Sequence, residues 1–211
     1  SSDLTGLVLR SFWRLRAESP GFRPEGVLTL GVAAPGAIYD SQAKRVALYD
    51  ALLERLRAIP GVTSVGAVHL LPFGGSNWNP ELVVEGRVTP PGAPSPAVDW
   101  RVATPDYFRT MGIALRRGRM FTAADDSASP RVALINEALA RREFPGTDPL
   151  GKRVRTFFEG RDGWTTIVGV IADSKDQTLA GAARPQMYRP FAQSPLNSMS
   201  RHKQLSSARH W

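Results

Sequence analysis

The chain has 211 residues, 42% of them hydrophobic, enough to bury the core of one large domain or of two small ones. It contains no cysteine, which excludes disulfides, thiolate metal sites and cysteine nucleophiles. With 27 basic against 19 acidic side chains the formal charge is +8, so nucleic acid or an anionic lipid surface is the class of partner that the distribution of charge must support or exclude.

The start carries no initiator Met and reads as a cut end rather than a signal peptide, and no stretch approaches the roughly 18 apolar residues that span a bilayer. Residues 7–15 (LVLRSFWRL) are amphipathic, with Trp13 among Arg10, Arg14 and Arg16. Such a segment suits the headgroup boundary of a membrane or a helix packed on its own domain. Residues 27–32 (VLTLGV) have the length and branched content of a strand. Asp40 and Ser41 then offer cap oxygens to a helix whose apolar stripe runs through Val46, Tyr49, Leu52, Leu53, Leu56 and Ile59, until Pro60-Gly61 stops it. A second strand is predicted over 62–71, which completes a strand, helix, strand unit of ferredoxin-like half-repeat type. A glycine and asparagine loop (72–80) and a short strand (81–85) follow. The stretch 89–96 holds four prolines in eight residues and marks a subdomain boundary.

Beyond it, residues 98–103 alternate apolar with charged side chains, as a half-buried strand does. Thr104-Pro105 opens a short helix that Gly112 ends. Residues 116–119 (RRGR) read as a basic turn and 122–130 as an acidic, small-residue loop. A buried strand is predicted over 132–135, a helix capped by Asn136 runs to Phe144, and strands are predicted over 165–171 and 186–190. Strands and helices mix without strict alternation, which makes the fold class α+β.

The candidates for chemistry are few. Residues 146–153 (GTDPLGKR) approach the phosphate-loop pattern, but a helix precedes them, Arg153 stands where magnesium needs a hydroxyl, and Pro149 removes a backbone donor; a helix-to-strand turn is expected. His69 has no second imidazole near it in sequence and reads as a packed strand residue. Asp125-Asp126 lie in a loop suited to capping, and Ser76 lacks a nucleophile elbow. No catalytic, cofactor-binding or metal-binding residue is assigned. Arg201, Lys203 and Arg209 put +3 of the charge in the last eleven residues, and the cluster Arg116, Arg117 and Arg119 is too small to track a nucleic-acid groove, so nucleic acid is not expected as a partner. Trp78, with Phe73 before it, is either an exposed contact or buried under its loop. The three arginines either meet an acidic partner or stay solvated.

Several segments resemble, in order, one known family. They are PGFRPEGVLTL (20–30), YDALLERLRAIPGV (49–62), VGAVHLLPFGG (65–75), VATPDYFRTMGIALRRGRMF (102–121), VALINEALARREFPGTDPLGKRV (132–154) and TIVGVIAD (166–173). The chain is similar over residues 7–199 to the MacB-like periplasmic core domain of bacterial ABC transporter permeases of FtsX/MacB type, most of all to those first noted as duplicated in acidobacteria. The resemblance implies a noncatalytic domain on the periplasmic side of the cell inner membrane, coupling conformational change across it. It implies no cofactor. The implied partners are a cytoplasmic ABC ATPase acting through the full-length permease, a second permease copy in a dimer, and a periplasmic adaptor. A stand-alone periplasmic peptide- or lipid-binding module is the alternative.

Mapped on the chain, the family's fold implies a juxtamembrane segment (1–26), the first half of a porter-type subdomain (27–97), an inserted Sabre-like α+β subdomain (98–190), and a return segment with an atypical tail (191–211). After Leu196 to Met199 the family continues into the second porter half, whereas residues 200–211 match none of it, so the chain reads as truncated and its porter sheet as open-edged.

Overall fold

A computed structural model describes residues 18–87, 96–160 and 162–193. The juxtamembrane stretch before Glu18, most of the proline-rich break, and the Leu196 to Met199 match with the tail after it lie outside the described residues. Within them the chain forms a seven-stranded mixed sheet with helices on both faces, an α+β arrangement. The strands are β1 (Val83–Val84), β2 (Asp99–Ala103), β3 (Leu115–Gly118), β4 (Val132–Asn136), β5 (Arg153–Arg155), β6 (Thr165–Ile171) and β7 (Gln186–Pro190). The helices are α1 (Gln42–Arg57), α2 (Tyr107–Met111) and α3 (Glu137–Glu143).

The sheet order is β1-β5-β6-β4-β7-β2. β4 lies parallel to β6 and antiparallel to β7, and β2 lies parallel to β7 in an unbroken five-residue register from Asp99 opposite Gln186 to Ala103 opposite Pro190. β6 is long enough to hold two partners along its other edge, β5 beside Thr165 and Thr166 and β3 beside Gly169 to Ile171.

Alternation divides β4 between two cores. Ala133 and Ile135 join Trp100, Val102, Leu139, Val154, Ile167 and Met187 on one face. Val132 and Leu134 join Tyr107, Phe108, Met111, Ile113, Phe121, Ile171 and Tyr188 on the other. Both faces are covered, which is why β4 and β6 read as near-continuous apolar runs. α3 covers the first face through Leu139, and α2 the second through Phe108 and Met111. Gly112, in the left-handed region at φ 67°, ends α2 and lets Ile113 donate back to the Phe108 carbonyl.

Asn136 joins three elements at the end of β4. Its Oδ1 caps α3 by accepting from Leu139 N (3.0 Å) and also accepts from Gln186 N of β7 (2.9 Å), while its Nδ2 donates to the Arg184 carbonyl (2.8 Å). α1 starts as expected, with Ser41 Oγ accepting from Lys44 N. Its stripe is only partly covered: Leu53 is buried, Tyr49 meets Phe191 at 4.9 Å, and Val46, Leu52 and Leu56 stay half-buried.

Several expectations are corrected. Residues 27–32 enter no ladder, and Leu28 is 90% exposed. Residues 62–71 contribute a single bridge, Val68 with Ala103, so the strand, helix, strand unit is not closed among the described residues. Branched content marks what fits a half-buried pleated surface, and here no neighbouring strand supplies that surface. The basic turn at 116–119 belongs largely to β3, an exposed edge strand. β2 is buried along its whole length rather than on one face, because Asp99 and Arg101 find partners inside the protein.

Replacing Asn136 with Ala removes the α3 cap and leaves the buried Gln186 N–H unpaired, a loss of about 3 kcal/mol. Urea unfolding of the two forms measures it, and a loss below about 1 kcal/mol would contradict the central role given to this side chain.

Candidate functional site

The side chains singled out in the sequence are mostly tied into the fold. His69 Nδ1 accepts from Val102 N (2.9 Å), and its ring stands edge-on to Trp78 and Trp100. Burial first, and the Arg101 charge second, push its pKa from 6.5 down to about 4, so the imidazole is neutral. Asp125 takes a two-pronged bond from Arg119 (2.8 Å each) and accepts from Thr122 N, and this hydrogen bonding holds its carboxyl below the usual range. Asp126 accepts from Ala128 N and Ser129 N as a turn cap. Ser76 sits half-buried in its loop. Residues 146–152 form the turn from α3 to β5, where Asp148 pairs with Arg117 (2.7 Å). Arg116 meets Glu137 at 3.5 Å. Each arginine of the basic cluster thus faces an acid of its own chain. Among the described residues no group of three His, Asp or Glu could hold a metal ion.

The aromatic pair of the glycine loop separates. Trp78 is half-buried and its ring packs against those of Phe158 (5.3 Å, 20°) and Trp100 (6.3 Å, 18°), which are 4.5 Å from each other, while its carbonyl accepts from Trp100 N. Phe73 remains 45% exposed. Among the described residues it is the one non-glycine with positive φ, at 58°.

Beneath the loop lies a buried charge network that no sequence motif marked. Arg101, 1% exposed, donates from Nε to Asp176 Oδ2 (2.7 Å) and from Nη2 to Asn77 Oδ1 (3.3 Å), and lies 4.0 Å from Asp99. Gln186 Nε2 donates to the same Asp176 oxygen (2.8 Å) and to the Ser174 carbonyl (3.0 Å). Asp99 is held by Asn79 and by Arg184 (3.2 Å). Burial raises the Asp176 pKa against the pull of Arg101. Burial works against the Arg101 charge too, but Asp176 and its neighbours outweigh it and raise the guanidinium pKa.

The loop also frames an apolar groove of about 420 Å³ lined by Phe22, Val27, Leu71, Phe73, Met111 and Leu179. The segment that carries Phe22 is pinned by main-chain bonds, Arg23 N to the Met111 carbonyl and Lys175 N to the Pro20 carbonyl, both 2.8 Å. Gly21, at φ 80°, allows this approach, since a Cβ there would stand 2.1 Å from the Asp173 carbonyl oxygen.

The fold is thus a mixed-sheet α+β domain with a buried charge network beside an open apolar groove. The sequence pattern of the MacB-like periplasmic core domain matches residues 18–208, and the chain belongs to that family. The match starts at residue 18 rather than 7 and continues to 208, so it takes in most of the tail expected to match none of the family.

Over 85 residues the chain is 33% identical to the macrolide export ATP-binding/permease protein MacB of Mannheimia succiniciproducens, a stretch that is 40% of this chain and 12% of that protein. Among solved structures it is similar to the periplasmic region of MacB from Actinobacillus actinomycetemcomitans (20% identity, 67% of this chain and 55% of that one, TM-score 0.44). It is also similar to the extracellular domain of the noncanonic ABC-type transporter YknZ from Gram-positive bacteria (21%, 66% and 60%, 0.45). A domain of a permease protein from Porphyromonas gingivalis gives 24%, 68% and 57%, with a TM-score of 0.44. The chain thus spans about an eighth of the curated relative and just over half of each solved domain.

His69 sets a pH test. The unfolded chain takes up a proton at this residue near 6.5 and the folded chain only near 4, so its contribution to stability is whole above about 6.5 and is lost as pH falls towards about 4. Asp176, with its raised pKa, has the opposite sign. His69→Gln is expected to flatten the fall in unfolding free energy between pH 7 and pH 4.5, measured by urea titration; an unchanged slope would show that His69 is not held neutral.

Proposed function

We propose that the chain is a noncatalytic extracytoplasmic domain of an ABC-type permease that couples conformational change across the membrane during export. The observation that carries this reading is the family match, which runs through every described element of the sheet. The burial of Asp99, Arg101 and Asp176 inside the fold, and the pairing of the β3 arginines with acids of the same chain, fit a domain that works as a body rather than as a catalyst. Its partners in this reading are a cytoplasmic ATPase reached through the rest of the permease, a second permease copy, and a periplasmic adaptor. In the full-length permease reconstituted with its ATPase, replacing residues 18–208 by a short linker is expected to abolish export while ATP hydrolysis continues. Undiminished export would overturn the reading.

We further propose that residues 27–97 belong to a porter-type subdomain and 98–190 to a Sabre-like one. The extended run 27–32, with Leu28 and Leu30 exposed, supports a partner strand from elsewhere in the complete permease. A version of the chain extended through the second porter half should melt at a higher temperature than this one, and equal midpoints would count against the assignment.

The apolar groove favours a second reading, a stand-alone periplasmic module for a peptide or lipid. The gene upstream of Ser1 separates the two. A long apolar helix immediately before it supports the permease, and its absence supports the free module.

A further inference from the structure

Phe73 combines three features that meet nowhere else among the described residues. Its backbone has positive φ, its ring stands on the rim of the apolar groove, and its N–H donates to the Asp176 main-chain carbonyl at 2.6 Å. A bulky L-residue in the left-handed region is strained and stays there only when its surroundings over-determine it. The Asp176 carboxylate is fixed by Arg101 Nε and Gln186 Nε2, and Arg101 reaches on to Asn77 in the same loop. Beyond Asn77, the Trp78 carbonyl accepts from Trp100 N and Asn79 bonds Asp99. One side of the groove, Leu71 to Phe73, belongs to this loop, and the Phe73 ring meets that of Phe22 (centroids 6.2 Å), whose segment is pinned to α2 by the bond from Arg23 N to the Met111 carbonyl.

We propose that residues 71–79 are a spring-loaded strap whose position sets the width of the groove, with strained Phe73 as the spring and the buried Arg101–Asp176 pair as the catch. The strap is tied at Phe73, Asn77, Trp78 and Asn79, and two of those ties, at Phe73 and Asn77, end on the two members of the catch. Loosening the pair therefore frees the Phe73 end, and the strain at Phe73 drives that end away from its closed position.

Hydrogen exchange of the 211-residue chain, read amide by amide, tests this with two variants. Phe73→Asn places a residue that tolerates positive φ at the spring, and is expected to slow exchange at 73–79 by about fivefold while β4 amides keep their rates. Asp176→Asn releases the catch, and is expected to speed exchange at 73–79 at least tenfold more than in β4 and β6, with a changed affinity of the chain for the apolar dye 1-anilinonaphthalene-8-sulfonate. Unchanged or faster exchange in Phe73→Asn removes the spring, and uniform acceleration in Asp176→Asn removes the catch. Selective acceleration with unaltered dye affinity detaches the strap from the groove. Should Asp176→Asn not fold, Phe73→Asn alone decides.

Discussion

A guanidinium placed inside a sheet imposes conditions on everything around it. Arg101 sits in the middle of β2 at 1% exposure, where an unpaired charge is intolerable, so the chain must bring it oxygen atoms from distant segments. Asp176 comes from the segment after β6, Asn77 from the glycine loop, and Asp99 from β2 itself. Gln186 of β7 and Ser174 then complete the shell of Asp176. Breaking one member of such a pair costs about 3–5 kcal/mol, whereas an apolar substitute for the whole set costs little. The network therefore favours one arrangement of the loop on the sheet more than it adds stability. A second buried arginine, Arg189 of β7, one register position from Arg101, is tied to Thr165, and burial lowers its pKa to about 10.

What could be read in the sequence follows from where information is local. β4, β6 and α3 are legible because burial on both faces produces near-continuous apolar runs and because Asn136 is a cap with a known spacing. The same logic fails for β2, whose alternating charge reads as a solvent face although all five residues are buried. Asp176 lies 75 residues from Arg101, and nothing near either residue announces the other. Residues 27–32 have strand composition without a strand partner among the described residues, and composition cannot supply one. For Phe73 and Trp78 the sequence leaves exposure and burial open, and the fold divides them, since Trp78 packs against the Phe158 and Trp100 rings while Phe73 stays 45% exposed. The phosphate-loop look-alike was recognisable as a turn, because proline and arginine stand where donors and a hydroxyl are needed.

The charge, too, changes meaning once placed. Arg116, Arg117 and Arg119 look like a basic patch in the sequence, yet each lies within 3.5 Å of a carboxylate of this chain. Exposed pairs of this kind contribute little to stability. They also blunt β3, an edge strand that long charged side chains keep from pairing with another protein.

The unbroken parallel register of β2 on β7 makes the sheet's mechanical response directional. Five consecutive residue pairs run side by side, so a pull along the strand direction stretches all of their hydrogen bonds together. A pull across the strands would instead peel them apart one at a time. The sheet is thus stiff along one axis and compliant along another, and the direction of an applied force decides which of the two it meets.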